Sequence, residues 1–385
     1  MAFTRSCIIV TSDEPWGVVW HTQLHYAWQL SLRFKVIFVN PPQSWRFKNL
    51  FFRSQPDFSV SGKLTVVPYQ NVLPSFLGIA AMFINDWITQ IRIRKAMNRW
   101  KGISVSHAWH FDRYRGFFLF RNDRSVKHVY HIVDPYLAEK NDSLFAKSAD
   151  LIVLTSPKHF NHYLAINPNT IRMPQGVDLD FYIKQKKQQP TDTAAGYEDS
   201  ILLLGTLTND VDFDFLSIVA DKYPGKLLII GPDKINVPES RVKFENLLSI
   251  PSVRWLGPMQ PEDFLPFLLS CRVGVIVYRK TGTDSNNLRS PLKVINYLAS
   301  GKCVISNIDC EIPALENEAI YKADSQLMYL QLLDTAMNGN LKFNHQLVAQ
   351  YLNDVSYDHL VGSIFKSMDQ SLPPKFEHEQ AHESA

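Results

Sequence analysis

At 385 residues with 45% hydrophobic content, the chain can bury two cores, so two domains of ordinary size are expected. Four cysteines, at 7, 271, 303 and 310, lack paired spacing and exclude a disulfide framework or zinc knuckle; no run reaches the roughly eighteen apolar residues that cross a bilayer. The net charge of +3 is divided unevenly: residues 1–180 carry 21 Lys+Arg against 12 Asp+Glu, and residues 201–385 carry 16 against 22, so a basic front half suited to anionic partners precedes an acidic back half.

Residues 7–10 read as a strand, 13–21 as a loop, 20–32 as a helix and 35–39 as a second strand, the opening of a parallel α/β domain. In such sheets ligands meet the loops at the carboxyl ends of the strands, and Trp16 and Gly17 lie on that loop. The start runs from Ala2 into the first strand without the apolar core of a signal peptide, which together with isolated cysteines points to a reducing cytoplasm. His21 and His25, four residues apart, share one helix face. With no third ligand or Glu-x-x-His pattern, zinc is not the reading; one ring lines a cleft and the other is structural, His21 being the better candidate for substrate contact.

Residues 45–53 interleave basic and aromatic side chains, and residues 73–84 carry no charge before Arg92, Arg94, Lys95, Arg99 and Lys101. This order suits either a helix lying in an anionic membrane interface, with Trp87 and Trp100 at headgroup level, or a core helix with a solvated basic end. No nucleic-acid motif accompanies the charge, so no nucleic-acid partner is expected. Residues 105–112 and 128–136 are apolar runs with polar ends, and as strands they bring His110, Asp112, His131 and Asp134 to the sheet rim. Asp134, stopped by Pro135, is the preferred general base, with His131 and Asp112 in reserve; a turn-capping role suits each aspartate equally well. Residues 149–157 read as a strand entering a helix and 172–181 as the close of the domain, Gly176 and Asp178 serving the turn. The polar residues 184–200 read as a linker.

A second parallel α/β domain follows: strands at 200–204, 226–230, 253–256 and 273–277, helices at 213–222 and 261–270, and Gly205 and Thr206 on the first strand-end loop. After a long polar loop, residues 291–300 place Val294, Tyr297 and Leu298 on one helical stripe, with Pro291 in the first turn, Gly301 as the stop, and a strand at 303–306. Ser290 and Lys293 at that helix start make a place to hold phosphate. A terminal helix pair fits 348–367, and the tail from 372 reads as disordered.

The wording Ser290-Pro-Leu-Lys293, then Asn296-Tyr-Leu-Ala-Ser-Gly-Lys302 and a short strand, resembles the donor-site helix of GT-B glycosyltransferases, in the group allied to glycosyltransferase family 4. Residues 15–42, and the Thr155-Ser156 strand end followed by Pro174-Gln-Gly-Val-Asp178, resemble the same group. The resemblance implies an α/β GT-B fold of two Rossmann-like domains with parallel sheets facing across a cleft. Residues 1–183 would form the acceptor domain, 184–200 the linker, 201–355 the donor domain, 356–371 a helix returning to the first domain, and 372–385 the tail. It further implies a metal-independent, hexosyltransferase-like enzyme without a resident cofactor, moving a sugar from a UDP- or GDP-sugar to a lipid-linked or polysaccharide acceptor in cell-surface polysaccharide synthesis. Such an enzyme would be cytoplasmic, at the inner face of an anionic membrane. The implied donor residues are Gly205, Thr206, Arg289, Ser290, Pro291, Leu292, Lys293 and Asn296; the acceptor side would use Asp134, His21 and His131 in catalysis, with Trp16, Gly17, His25, His110 and Asp112 lining the cleft. The chain departs from the pattern at Gly17, where relatives have two glycines, at Asn209, Asp210, Asp212 and Asp214, where they have basic residues, and at Leu288 and Asn296, where they have a Glu-x7-Glu pair. These departures keep open an alternative, a non-catalytic partner or scaffold in polysaccharide assembly.

Overall fold

The structure, a computed structural model, describes residues 6–17, 20–42, 45, 56–69, 71–112, 120, 123–133, 142–187, 194–279, 292–373 and 375. The chain divides into two compact units, residues 1–174 with 357–385, and residues 175–356.

The first unit contains β1 (Ser6–Thr11), α1 (Thr22–Ser31), β2 (Lys35–Asn40), β3 (Phe58–Ser61), β4 (Leu64–Pro68), α2 (Ile79–Met97), β5 (Ser104–His110), β6 (Lys127–Ile132), α3 (Asp142–Ser148), β7 (Leu151–Leu154), α4 (Phe160–Ile166) and β8 (Thr170–Arg172). Its sheet runs β3-β4-β2-β1-β5-β6-β7-β8, parallel except for the β3–β4 hairpin. Because successive side chains leave a strand on opposite faces, Ile8 and Val10 enter one core with Leu24, Ala27 and Leu30 of α1, while Cys7 and Ile9 enter another with Ile93, Ala96 and Met97 of α2. Both faces are covered, which is why residues 7–10 of β1 are an unbroken apolar run rather than alternating.

The second unit contains α5 (Leu179–Lys187), β9 (Ile201–Leu204), α6 (Phe213–Lys222), β10 (Leu227–Ile230), α7 (Pro238–Ser249), β11 (Arg254–Trp255), α8 (Pro261–Ser270), β12 (Val273–Ile276), α9 (Leu292–Ala299), β13 (Val304–Ser306), β14 (Ile320–Lys322), α10 (Gln326–Met337) and α11 (His345–Asp354). Its sheet, β11-β10-β9-β12-β13-β14, is wholly parallel. The unit begins at residue 175, ahead of α5, where the sequence put the end of the first domain at 183 and the start of the second at 201; the Val177 N–H donates to Val355 O at 3.0 Å and Tyr182 is buried in this unit's core.

A last helix, α12 (Tyr357–Ser367), belongs to the first unit. Leu360, Val361, Ile364 and Phe365 fill the core on the Ile8 face, and Phe365 stacks on Phe34 with ring centroids 5.3 Å apart. Asp358 anchors it to α1, accepting from Gln29 Nε2 at 2.7 Å and pairing with Arg33 at 2.9 Å. Among the described residues no helix is long and apolar enough to cross a membrane.

Candidate functional site

In the second unit, β9 and β10 end in glycines, with Gly205 at φ 118° and Gly231 at φ 148°, backbone that side chains other than glycine rarely adopt. A Cβ on Gly231 would fall 2.1 Å from Gly205 O, so the two turns touch backbone to backbone. The strand ends are stitched by Gly205 N–H to Ile230 O at 2.9 Å and Gly231 N–H to Gly257 O at 2.8 Å. Over this glycine rim lies Lys293, in the first turn of α9: its Cδ, Cε and Nζ all sit 3.9 Å from where a Cβ on Gly205 would be. The ammonium rests 4.7 Å from the centroid of the Tyr278 ring, a cation–π contact, and Lys293 makes no hydrogen bond or ion pair among the described residues. Tyr278 is fixed in turn by Asn307, which accepts from its N–H at 2.9 Å and donates to its carbonyl at 2.6 Å.

Helix α9 is held to the sheet by Tyr297. Gly274 has no side chain because the Tyr297 ring lies 2.3 Å from where its Cβ would stand. The β9–β12 register ends at the Leu202–Gly274 pair; there the Tyr297 hydroxyl accepts from Leu204 N–H and donates to Leu202 O, each at 2.8 Å, so it replaces the rung the strands no longer make. One turn on from Lys293 and on the same face, Asn296 Oδ1 accepts from the Tyr182 hydroxyl at 2.9 Å, which leaves its amide to donate. Thr206 and Leu292 are half-buried beside these groups. Arg279 gives the 208–210 loop a cation that its own sequence lacks: its guanidinium donates to Ser240 Oγ at 2.8 Å and to Asn209 O, while its N–H donates to Asp210 O at 2.7 Å. Arg289, Ser290 and Pro291 lie outside the described residues.

The first unit places its predicted residues less uniformly. His21 stands at the residue before α1 without a side-chain capping bond, 30% exposed, with Nε2 3.8 Å from the Glu14 carboxylate. His25 stacks on Tyr357 at 4.9 Å and meets Trp20 edge-on, and burial pushes its imidazole down to about 3. Its place is in the packing of α1 against α12. His131, read as a rim residue, is enclosed: its Nδ1 accepts from Trp109 Nε1 at 3.3 Å, its ring stacks on Phe111 at 4.6 Å, and burial lowers it to about 3. His110 is likewise buried, meeting Thr11 Oγ1 at 3.2 Å and His128 Nδ1 at 3.1 Å, and faces a hollow of about 280 Å³ with His128, Tyr130 and Phe145. Desolvation and the neighbouring His128 hold its pKa well below that of a free imidazole.

Asp112 is buried at the carboxyl end of β5. Asp13, which the sequence reading passed over, accepts from Gln23 Nε2 at 2.9 Å, and burial together with the charge of Asp112 raises its carboxyl above the ordinary range. Trp16 packs edge-on against Phe38 and is tied down by its N–H to Asn40 Oδ1 at 2.8 Å. Gly17 is exposed, and a Cβ there would meet Pro15 O at 3.9 Å, an ordinary contact, so sterics do not demand glycine. Asp134 lies outside the described residues. Among the described residues no group of three His, Cys, Asp or Glu could hold a metal ion.

No family model matches the chain. The E. coli trehalose-6-phosphate structure bound with UDP-2-fluoro glucose superposes at TM-score 0.64 and 12% identity, covering 96% of this chain and 100% of that one. Sucrose-phosphate synthase of Thermosynechococcus elongatus superposes at 0.61 and 16% identity, covering 95% and 99%. The chain has the GT-B fold of glycosyltransferases. A curated protein of Bacillus subtilis (strain 168), named "Putative teichuronic acid biosynthesis glycosyltransferase TuaH", is 28% identical over 132 residues, which are 34% of this chain and 32% of that protein, so the match spans about a third of the relative's length.

In the GT-B frame, the glycine rim with Lys293, Tyr278 and Asn296 forms one surface able to receive an anion and a hydroxyl-bearing group together. Sequence reasoning reached Gly205, Lys293 and Asn296 but missed Tyr182, Tyr278, Arg279 and Asn307. Tyr278 had a signal, as the first polar-tipped residue after the apolar run ending at Val277; Asn307 sits 29 residues away and had none.

Proposed function

We propose that the chain transfers a sugar from a nucleotide-sugar donor, UDP- or GDP-linked and bound by the second unit, to a lipid-linked or polysaccharide acceptor received by the first, in cell-surface polysaccharide synthesis. The observation that carries this is the Lys293 ammonium, unpaired among the described residues, over the Gly205–Gly231 backbone, where a donor diphosphate can lie between the glycines and the lysine. Transfer leaves a nucleoside diphosphate, and its growing negative charge is met by Lys293 and the positive end of the α9 dipole, so the reading is a metal-independent one with no resident cofactor. Asn296 presents its amide to a donor hydroxyl while Tyr182 holds its carbonyl. On the acceptor side His21 takes the proton of the attacking hydroxyl, because it alone among the candidate bases described combines access with a neighbouring carboxylate, Glu14. The teichuronic acid assignment of the Bacillus protein supports the pathway class, and the buried thiols of Cys7 and Cys271, both pushed up to about 12 by burial, suit a cytoplasmic protein at the inner membrane face.

The non-catalytic scaffold is a second reading, favoured by Asn296 where a carboxylate would hold ribose more strongly. A thermal-shift screen against UDP, GDP, ADP, TDP and CMP, with and without Lys293→Ala, separates the two. A rise with one nucleotide that disappears in the variant supports donor binding. No rise with any of them in a folded protein leaves the scaffold reading.

A further inference from the structure

Over the first half of α2 the usual distribution of side chains is inverted, while Ile93, Ala96 and Met97 of its last turns are buried in the ordinary way. Its buried side carries Asn85, Asp86 and Thr89, whereas Phe83, Ile84, Trp87 and Ile91 point outwards, continuing Phe76 and Leu77 from the turn before the helix; Phe76 is 82% and Trp87 63% exposed. A helix packed only against its own domain in water places its residues the other way round. The buried polar groups are satisfied from within: Asn85 accepts from Leu73 N–H and donates to Leu73 O, each at 2.8 Å, Asp86 accepts from the Tyr69 hydroxyl, and Thr89 donates to Asn85 O at 2.8 Å. The outward face is therefore not a misplaced core. Phe83, Trp87 and Ile91, at successive intervals of four, form a stripe roughly 12 Å long.

Charge identifies what covers this stripe. It ends at the exposed Arg94 and Lys95, and Lys101 follows beyond the helix. From residue 43 to 101 the sequence has nine Lys and Arg against two Asp and no Glu. Neither aspartate offsets the face, since Asp86 is buried and Asp57 is occupied by Arg92 at 2.7 Å and Arg99 at 3.9 Å. Arg94 and Lys101 also line an open hollow of about 590 Å³ beside Trp100, where they outnumber its one carboxylate, Asp123, two to one. We infer that Phe76, Leu77 and the Phe83–Ile84–Trp87–Ile91 face of α2 insert into the interfacial layer of an anionic membrane, with Arg94, Lys95 and Lys101 on the lipid phosphates. The helix lies on the bilayer, being neither long nor apolar enough to span it. This deepens the membrane-side acceptor of the proposed transfer, yet it rests on exposure and charge alone and holds whether or not the protein transfers sugar.

The test is co-sedimentation of the full chain with vesicles of phosphatidylcholine alone or mixed with phosphatidylglycerol. Binding is expected to the mixed vesicles, weaker at about 0.5 M than at about 0.05 M salt. Phe83→Ser with Trp87→Ser should weaken it at least about tenfold, and Arg94→Gln and Lys95→Gln about fivefold each. These side chains are exposed, so the variants should keep the melting temperature and any nucleotide-induced shift of the parent, which separates failure of docking from failure of the donor site. Absence of binding to the mixed vesicles, or equal binding by the serine variant, overturns the inference. So does gel filtration showing a dimer that the serine variant converts to monomer while vesicle binding is unchanged, which assigns the face to a second copy.

Discussion

Replacing Tyr297 by phenylalanine removes one oxygen and leaves the ring in place against Gly274. That oxygen serves two buried backbone groups, Leu204 N–H and Leu202 C=O, at the point where β9 and β12 part. Leaving such groups without their partner costs roughly 1–3 kcal/mol each, so the substitution should destabilise the second unit by about 3 kcal/mol. For a unit of this size each kcal/mol moves the midpoint roughly 2–4 °C, giving a fall of about 6–12 °C, read by differential scanning calorimetry as a shift of one transition. Because Tyr297 ties α9 to β9, the nucleotide-induced shift should shrink as well, through displacement of Lys293 from Gly205. Gly274→Ala approaches the same joint from the other side by driving a Cβ to 2.3 Å from the ring, and the two changes combined should cost less than their sum. A fall smaller than about 1 °C for Tyr297→Phe would show that strand pairing continues without the hydroxyl and would refute the reasoning.

Tyr182→Phe frees the Asn296 carbonyl and lets the amide rotate, and isothermal titration should find nucleotide binding weakened roughly 3- to 10-fold with the fold intact; unchanged affinity would remove Asn296 from the donor site. His21→Gln should lower sugar transfer at least about 100-fold and abolish the acidic limb of the pH–rate profile, whereas a variant that keeps this limb would place the base elsewhere. Stability should fall in acid. His25 and His131 titrate near 6.5 when unfolded but about 3 when folded, so their contribution is complete above pH 6.5 and is lost as the pH drops towards 3. Each adds a slope of about 1.4 kcal/mol per pH unit across that window, and urea melts between pH 7 and pH 4 showing less than one proton taken up on unfolding would contradict their burial in the neutral form.

How much of this was legible in sequence depended on whether the deciding contact was local. Helices α6 and α8 occupy the residues their patterns indicate, because their starts are written at their own ends: Asp212 accepts from Phe215 N–H at 3.0 Å, and Pro261 opens α8. Helix α7 was passed over, since it turns only Ser240, Phe244 and Leu247 fully inwards and its apolar stripe is thin. The β3–β4 hairpin was missed too, because Phe58 and Ser59 are exposed and no alternation marks the edge strand. Residues 73–101 left two readings of α2 open, because nothing in them says on which side Trp87 emerges. At the candidate site the motif residues Lys293 and Asn296 could be read, but not Tyr278 and Tyr182, which meet them, or Asn307, which fixes Tyr278. His131 was taken for a rim residue because a polar side chain ends an apolar run. Tyr26, from a helix more than a hundred residues earlier in the chain, packs edge-on to that ring at 4.6 Å, and nothing near residue 131 announces it.

The second unit is an insertion between β8 and α12, and this sets an order of manufacture. A ribosome finishes all of residues 175–356 before it makes Phe365, the side chain that stacks on Phe34. Until α12 emerges, the sheet that was translated first remains bare along Phe34 and Trp109, while the inserted unit already has every strand of its own. The half begun earliest is thus completed last, contrary to the usual amino-to-carboxyl sequence of domain folding, and the nascent chain must keep that apolar face from aggregating for the time needed to synthesise an entire domain.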